Sequence, residues 1–171
     1  LESIGVEYDL IITLDCSDLY MTKIEEKIKT LKSKFGLVNI DHHFTNPLFG
    51  DLNIVISDAS STAEVVYIIL KNIEYKINSD IATSLLTGII TDTGNFTNNA
   101  TTKQSIEIAS KLLEIGANFK EILKANVYNK TISVLKLWGI VLKRIVYNTE
   151  LQMVETAVFE SDLKSLDLDN E

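Results

Sequence analysis

Phe35-Gly36-Leu37-Val38-Asn39-Ile40-Asp41-His42-His43 decides how the rest of the chain is read. The run from Phe35 to Ile40 is short and apolar, as expected of a buried strand. It ends in a carboxylate and two imidazoles, and these are the only two histidines in the chain. Such groups are poor core material, because burying them costs several kcal/mol unless they are paired or hold a metal. The strand therefore delivers a polar cluster to its carboxyl end, the edge at which open α/β sheets bind ligands. A divalent cation or a phosphate suits such a cluster.

The neighbouring sequence extends the pattern. Residues 8–14 (YDLIITL) read as a second strand, ending at Asp15. Ser17 and Asp18 are candidate caps for a helix near residues 20–34, with Ile24, Ile28 and Leu31 on one face. Asn46-Pro47 and Gly50 mark a loop, and residues 52–56 read as a third strand. Ser60 or Ser61 then caps a helix to about residue 70, and Ser61-Thr62-Ala63-Glu64 fits a capping box. Ser79 caps an apolar helix that runs to Asp92; another spans residues 101–115 and stops at Gly116. Helices are expected at about 118–125 and 130–147, a strand at 151–159, and a fraying acidic tail over 161–171. Strand, helix, strand, strand, helix predicts a three-layer α/β fold with a mainly parallel sheet, followed by a helical segment. The boundary between a first domain and the start of a second, truncated one is expected between residues 148 and 149.

Composition narrows the function. The chain has 171 residues, 46% of them hydrophobic, enough for a substantial core. A net charge of −8 and a pI near 4.8 argue against a broad basic surface for long nucleic acid. Short anionic substrates stay open, because a bound metal can supply local positive charge. The single cysteine, Cys16, rules out an internal disulfide and fits a reducing compartment. No apolar run reaches the roughly 18 residues of a membrane span. No basic-then-apolar signal segment opens the chain. A cytoplasmic location is expected. The chain starts at Leu1 rather than Met and is expected to be part of a longer or processed protein.

Three places could carry chemistry. Alone, Asp15 is most simply a loop acid or helix cap. Beside a strand ending in Asp-His-His, it becomes a candidate ligand. Asp92 stands where the apolar run 85–90 meets Thr93-Gly94. A helix end with Gly94 in the left-handed region is its structural reading. Yet an acid there faces the negative end of the helix dipole, which calls for a nearby cation. Asp-Thr-Gly also occurs in aspartic proteases, on a loop of an all-β domain; here it occurs once and follows a helix. Histidine with carboxylate suits Mn²⁺, or Mg²⁺ where oxygen dominates. Without a thiolate cluster a structural zinc site is not expected, and Cys16 should face away from Asp15. Asp15, His42 and Asp92 are enough for one ion and part of a second.

These residues resemble the DHH phosphoesterases. The resemblance runs from about residue 8 to 159, over YDLIITLDCSD, NIDHHFTNPLFGDLN, SSTAEVVYIIL, GIITDTGNF and LLEIGA, and extends to LKLWGIVL. It looks most like the branch of oligoribonucleases that also act on 3′-phosphoadenosine 5′-phosphate, and of cyclic-dinucleotide phosphodiesterases. The resemblance implies a Mn²⁺-dependent hydrolase of short oligonucleotides or small phosphorylated nucleotides. It implies two ions in the complete protein, with Mg²⁺ as the alternative. By position, Asp15, His42 and Asp92 look like metal ligands. His43 looks like the group that meets the substrate phosphate and moves a proton, with Asp41 behind it as the orienting acid. Asn46 is expected to line the pocket, as is the Ser60-Ser61-Thr62 cluster; their structural readings are a loop turn and a helix cap. The family's first motif, an Asp-x-Asp, and its glycine-rich C-terminal associated domain are absent, which implies that this stretch alone is inactive. Exopolyphosphatase, pyrophosphatase, RecJ-type exonuclease and a non-catalytic nucleotide-binding module are the alternatives. A homodimer stays open.

Overall fold

The computed structural model describes residues 8–23, 25–31, 36–125 and 130–168. Ile24 and Phe35, the side chain of Leu31 and residues 169–171 lie outside them. Backbone contacts form two compact units, one up to Ile122 and one from Leu123 onward. This division of contacts falls earlier than the 148/149 boundary read from sequence.

The first unit is α/β. Strands β1 (Leu10–Leu14), β2 (Gly36–Asp41) and β3 (Leu52–Val55) form a parallel sheet in the order β1-β2-β3. Its register pairs Thr13 with Asn39 and Asn39 with Asn53. A 3-10 turn (Leu19–Thr22) and helix α1 (Glu25–Leu31) connect β1 to β2. The single long helix expected there is interrupted because Lys23 takes a left-handed conformation, φ 57°. Asp18 caps the turn by accepting the Tyr20 N–H.

Three helices build the main core: α2 (Thr62–Asn72), α3 (Ser79–Asp92) and α4 (Lys103–Ile115). Helix α3 is central; its Ala82, Leu85, Leu86, Ile89 and Ile90 pack with Tyr67 of α2 and Ile108, Ala109 and Leu112 of α4. The short α5 (Phe119–Leu123) adds Ile122. Gly88 explains how closely α2 and α3 approach. A Cβ there would lie 2.6 Å from the Ala63 Cβ, so Gly88 is a packing glycine. The α3 cap is Asn78, one residue before the expected Ser79. Asn78 keeps extended backbone angles and accepts the Ile81 N–H through its side chain, as an N-cap requires. Helix α4 starts with a capping box between Thr102 and Ser105 and ends at Gly116, φ 108°.

The second unit contains α6 (Ile132–Lys143), an antiparallel hairpin of β4 (Val146–Asn148) and β5 (Met153–Glu155), and α7 (Glu160–Ser165). Two expectations are corrected here. The helix expected to reach 147 stops at Lys143, because the β-formers Val146 and Tyr147 enter the hairpin. The strand expected over 151–159 is paired only at Met153–Glu155. The expected fraying tail is also corrected up to residue 168. Asp162 is buried and accepts a two-pronged hydrogen bond from the Arg144 guanidinium, and that guanidinium lies 4.7 Å from the Phe159 ring centre.

Candidate metal centre

The centre is assembled where β1 and β2 end side by side. Asp15 leaves β1 with φ 56°, a left-handed conformation that Asp tolerates better than most residues. Its backbone N–H donates to the Ile40 carbonyl (3.1 Å), which holds the two strand ends together. Each of Asp15, Asp41, His42 and His43 offers a ligand-type atom, and these atoms lie within 4.8 Å of one another.

Asp41 is completely buried, and its carboxylate is fully engaged. Oδ1 accepts the His42 backbone N–H (2.8 Å) and His43 Nδ1 (2.8 Å); Oδ2 accepts the Asn46 amide (2.6 Å). Burial pushes this carboxyl up, and the hydrogen bonds from Asn46, His43 and the backbone more than reverse it, leaving it below its ordinary value. Asp41 thus fixes the orientation of the His43 ring. The bond to Asp41, more than offsetting the opposing effect of burial, raises the pKa of His43, whose side chain is 44% exposed.

His42 is oriented differently. Its Nδ1 meets the Ala59 carbonyl, an acceptor, at 3.3 Å, so Nδ1 is placed to donate and Nε2 is left to face the site. That Nε2 lies 3.6 Å from Asp15 Oδ1 and 3.9 Å from Asp92 Oδ2. His42 Nε2 is thus close to a carboxylate oxygen of each acid. No Lys or Arg among the described residues lies within ion-pairing distance of these acids. Two ligands about 2.1 Å from one ion stand at most about 4.2 Å apart, and both separations fit that limit. The His42–Asp15 and His42–Asp92 pairs are therefore each close enough to share a divalent cation.

Asp92 reaches the centre from the last residue of α3. Burial raises its carboxyl pKa, and the Asp15 charge adds to the effect. The turn behind it is fixed by the Asn98 amide donating to the Asp92 carbonyl (2.8 Å). Gly94, Asn95 and Phe96 all take positive φ there, at 57°, 61° and 62°.

Asn46, read as a pocket residue, has its amide committed to the protein. It donates to Asp41 and to the Cys16 carbonyl (3.1 Å), and it accepts from Asn39 Nδ2 (2.9 Å) and the Leu48 N–H (2.9 Å). Cys16 is a buried free thiol. Ser61 caps α2, but Glu64 does not close the expected box with it. Its carboxylate instead takes the backbone N–H and hydroxyl of Ser60 (2.9 and 2.7 Å). This leaves Thr62, at the start of α2, to donate to Asp15 Oδ1 at 2.8 Å.

The sequence reading missed the support beneath the site. Thr13, Asn39 and Asn53 form a polar row across the three strands, linked at 3.4 Å and 3.1 Å. Asn39 is completely buried, on the same face of β2 as Asp41. An amide inside an otherwise apolar strand was the available signal, since a buried amide requires partners.

The chain has relatives among known proteins. Residues 2–89 match the DHH family, N-terminal domain, and the chain belongs to that family. It is 37% identical over 112 residues to a bifunctional oligoribonuclease and PAP phosphatase NrnA from Thermus thermophilus, covering 66% of this chain and 34% of the relative. Among solved structures it is similar to an exopolyphosphatase-related protein from Bacteroides fragilis, with TM-score 0.83 and 27% identity over 95% of this chain and 48% of that one. A putative family II inorganic pyrophosphatase from Methanococcus jannaschii shares the fold at TM-score 0.58 and 23% identity, over 93% of this chain and 57% of that one. The chain thus spans about a third of the NrnA relative and about half of each solved structure.

Proposed function

We propose that this chain contributes the metal centre of a phosphoesterase that cleaves short oligonucleotides or small phosphorylated nucleotides. The observation that carries the reading is the position of His42 Nε2, 3.6 Å from the Asp15 carboxylate and 3.9 Å from that of Asp92, with the ring held by the Ala59 carbonyl. Asp15, His42 and Asp92 would hold a divalent cation, with Mn²⁺ favoured by the mixed nitrogen and oxygen donors. Such an ion supplies Lewis acidity toward a phosphoryl oxygen and lowers the pKa of water. The rest of the chemistry falls to the protein. Asp41 accepts the His43 Nδ1 proton, which fixes the ring and favours the imidazolium, whose Nε2–H can pass its proton to the departing oxygen and leave the neutral ring behind. Asn46 holds Asp41 in turn. Thr62 fixes the rotamer of Asp15.

The nucleotide substrate is supported by the likeness to the Thermus NrnA relative, and the acidic balance of the chain favours short substrates over long ones. The test uses the full-length protein with Mn²⁺, comparing a diribonucleotide, pyrophosphate and polyphosphate. Preferred release of mononucleotide, reduced roughly 10²- to 10³-fold or more by Asp15→Ala or Asp92→Ala, is expected. Undiminished release by either variant overturns the reading. Preference for pyrophosphate or polyphosphate moves the protein to the inorganic branch of substrates.

A further inference from the structure

The loop that carries the two histidines presents a feature the metal chemistry does not use. Phe44, the residue after His43, is 88% exposed, the highest value among the exposed large hydrophobic residues described. It sits in a tight turn in which the Asn46 N–H returns to the His43 carbonyl at 3.1 Å. Turn tips usually carry Gly, Asn, Asp or Ser, whose side chains suit water and the turn backbone. A phenyl ring there gains nothing from either.

The turn is also held in place. Asn46 ties it to Asp41 on one side and to the Cys16 carbonyl, in the loop that follows β1, on the other. That second loop leads into Tyr20, itself 77% exposed. Aromatic side chains thus stand on both loops at the carboxyl ends of adjacent strands, and the polar centre lies at the roots of those loops. A ring on a fixed turn loses little freedom when a flat ligand stacks on it.

We infer that Phe44 is a specificity residue that stacks on a nucleobase while the adjoining centre holds the attached phosphate. The inference rests on the phosphoesterase reading and adds the part of the substrate that Phe44 selects. Inorganic pyrophosphate and polyphosphate have no aromatic face to offer. A nucleotide carries one beside its phosphate, and base stacking on an aromatic side chain is sequence-tolerant.

The test measures full-length protein and its Phe44→Ala, Phe44→Leu and Phe44→Trp variants, with Mn²⁺, on a diribonucleotide and on the same phosphodiester lacking its bases. The readout is the ratio of kcat/KM between the two. Phe44→Ala should lower it about 5- to 150-fold, the range a single stacking contact spans, and mostly through KM. Phe44→Leu should fall with Ala, since it keeps apolar area without a ring face. Phe44→Trp should hold or raise the ratio. An unchanged ratio in Phe44→Ala, or a Phe44→Leu variant equal to wild type, overturns the inference. The same ratio taken from dissociation constants separates the two proposals. A ratio that responds to Phe44 without any cleavage overturns the phosphoesterase reading alone, whereas absence of diribonucleotide binding overturns both.

Discussion

Asp92 in the first unit and Asp162 in the second are both acids at helix ends, and they are handled in opposite ways. Asp162, in the first turn of α7, accepts both prongs of the Arg144 guanidinium and the Phe159 N–H. Arg144 holds its carboxyl down to about 2. Asp92, at the last turn of α3, meets the wrong end of the helix dipole, and no Lys or Arg among the described residues lies within ion-pairing distance of it. Burial holds its carboxyl above the ordinary range. A carboxylate matched to an internal cation is structural. One left facing acceptors is suited to a ligand that brings its own positive charge, and its energetic cost falls on the free protein.

The units also differ in how they are stabilised. The first is organised around α3, five of whose residues are buried in one cluster. In the second, α6 buries none of its residues, and Ile132, Leu135, Trp138 and Leu142 are exposed. The largest expected effect follows from this contrast. Leu86→Ala should cost the first unit about 2–5 kcal/mol, as buried leucines do. Trp138→Ala in α6 should cost within about 0.5 kcal/mol, as exposed substitutions do. Chemical denaturation followed by circular dichroism reads both, and equal losses would erase the distinction.

Gly88→Ala comes next. The added Cβ would meet Ala63 at 2.6 Å, so α2 and α3 must separate, at about 1–3 kcal/mol. Because Thr62 starts α2 and Asp92 ends α3, this variant should also weaken Mn²⁺ binding; calorimetric titration showing unchanged affinity would uncouple helix packing from the centre.

Thr62→Val removes the hydrogen bond to Asp15 with little change of shape. A loss of about 10- to 100-fold in Mn²⁺ affinity is expected, typical of groups that orient a ligand. Unchanged affinity would show that Asp15 needs no such support.

The smallest effects carry the sharpest contrast. At neutral pH without metal, Asp92→Asn should stabilise the chain slightly, within about 1 kcal/mol, whereas Asp162→Asn should destabilise it. Millimolar Mn²⁺ should raise the melting temperature of the unsubstituted chain and raise that of Asp92→Asn less. The signs follow from the carboxyl shifts. A carboxyl held low stabilises the fold above its unfolded pKa of about 3.9, and that contribution fades as pH falls toward 2. Asp162→Asn should remove this acid-sensitive component. A carboxyl held high does the reverse, so the metal-free fold gains as Asp92 is protonated. Thermal melts across pH 2–7 that shift alike for the two variants would contradict the comparison.

Much of the first unit was legible in sequence because its signals are local. The apolar runs ending at Asp15 and Asp41 gave two strands of the parallel sheet, and the run before Asp92 gave α3. The second unit was less legible. The end of α6 depends on hairpin pairing between Val146 and Glu155, and the order of α7 depends on Arg144, 18 residues before Asp162. Neither is visible in periodicity.

The centre divides along the same line. Sequence alone fixed the residue types and their places at the ends of elements, because a strand or helix end is a local event. Only the tertiary structure decided what each of them touches. Asp41 and Asp15 look alike in sequence, yet Asp41 is buried and its carboxylate takes hydrogen bonds from three residues, His42, His43 and Asn46, while Asp15 is turned toward His42. His42 and His43 are adjacent, yet one is aimed by the Ala59 carbonyl and the other by the Asp41 carboxylate. Those partners come from distant positions in the chain or from a backbone turn, and hydrogen-bond direction is set only once both ends are in place.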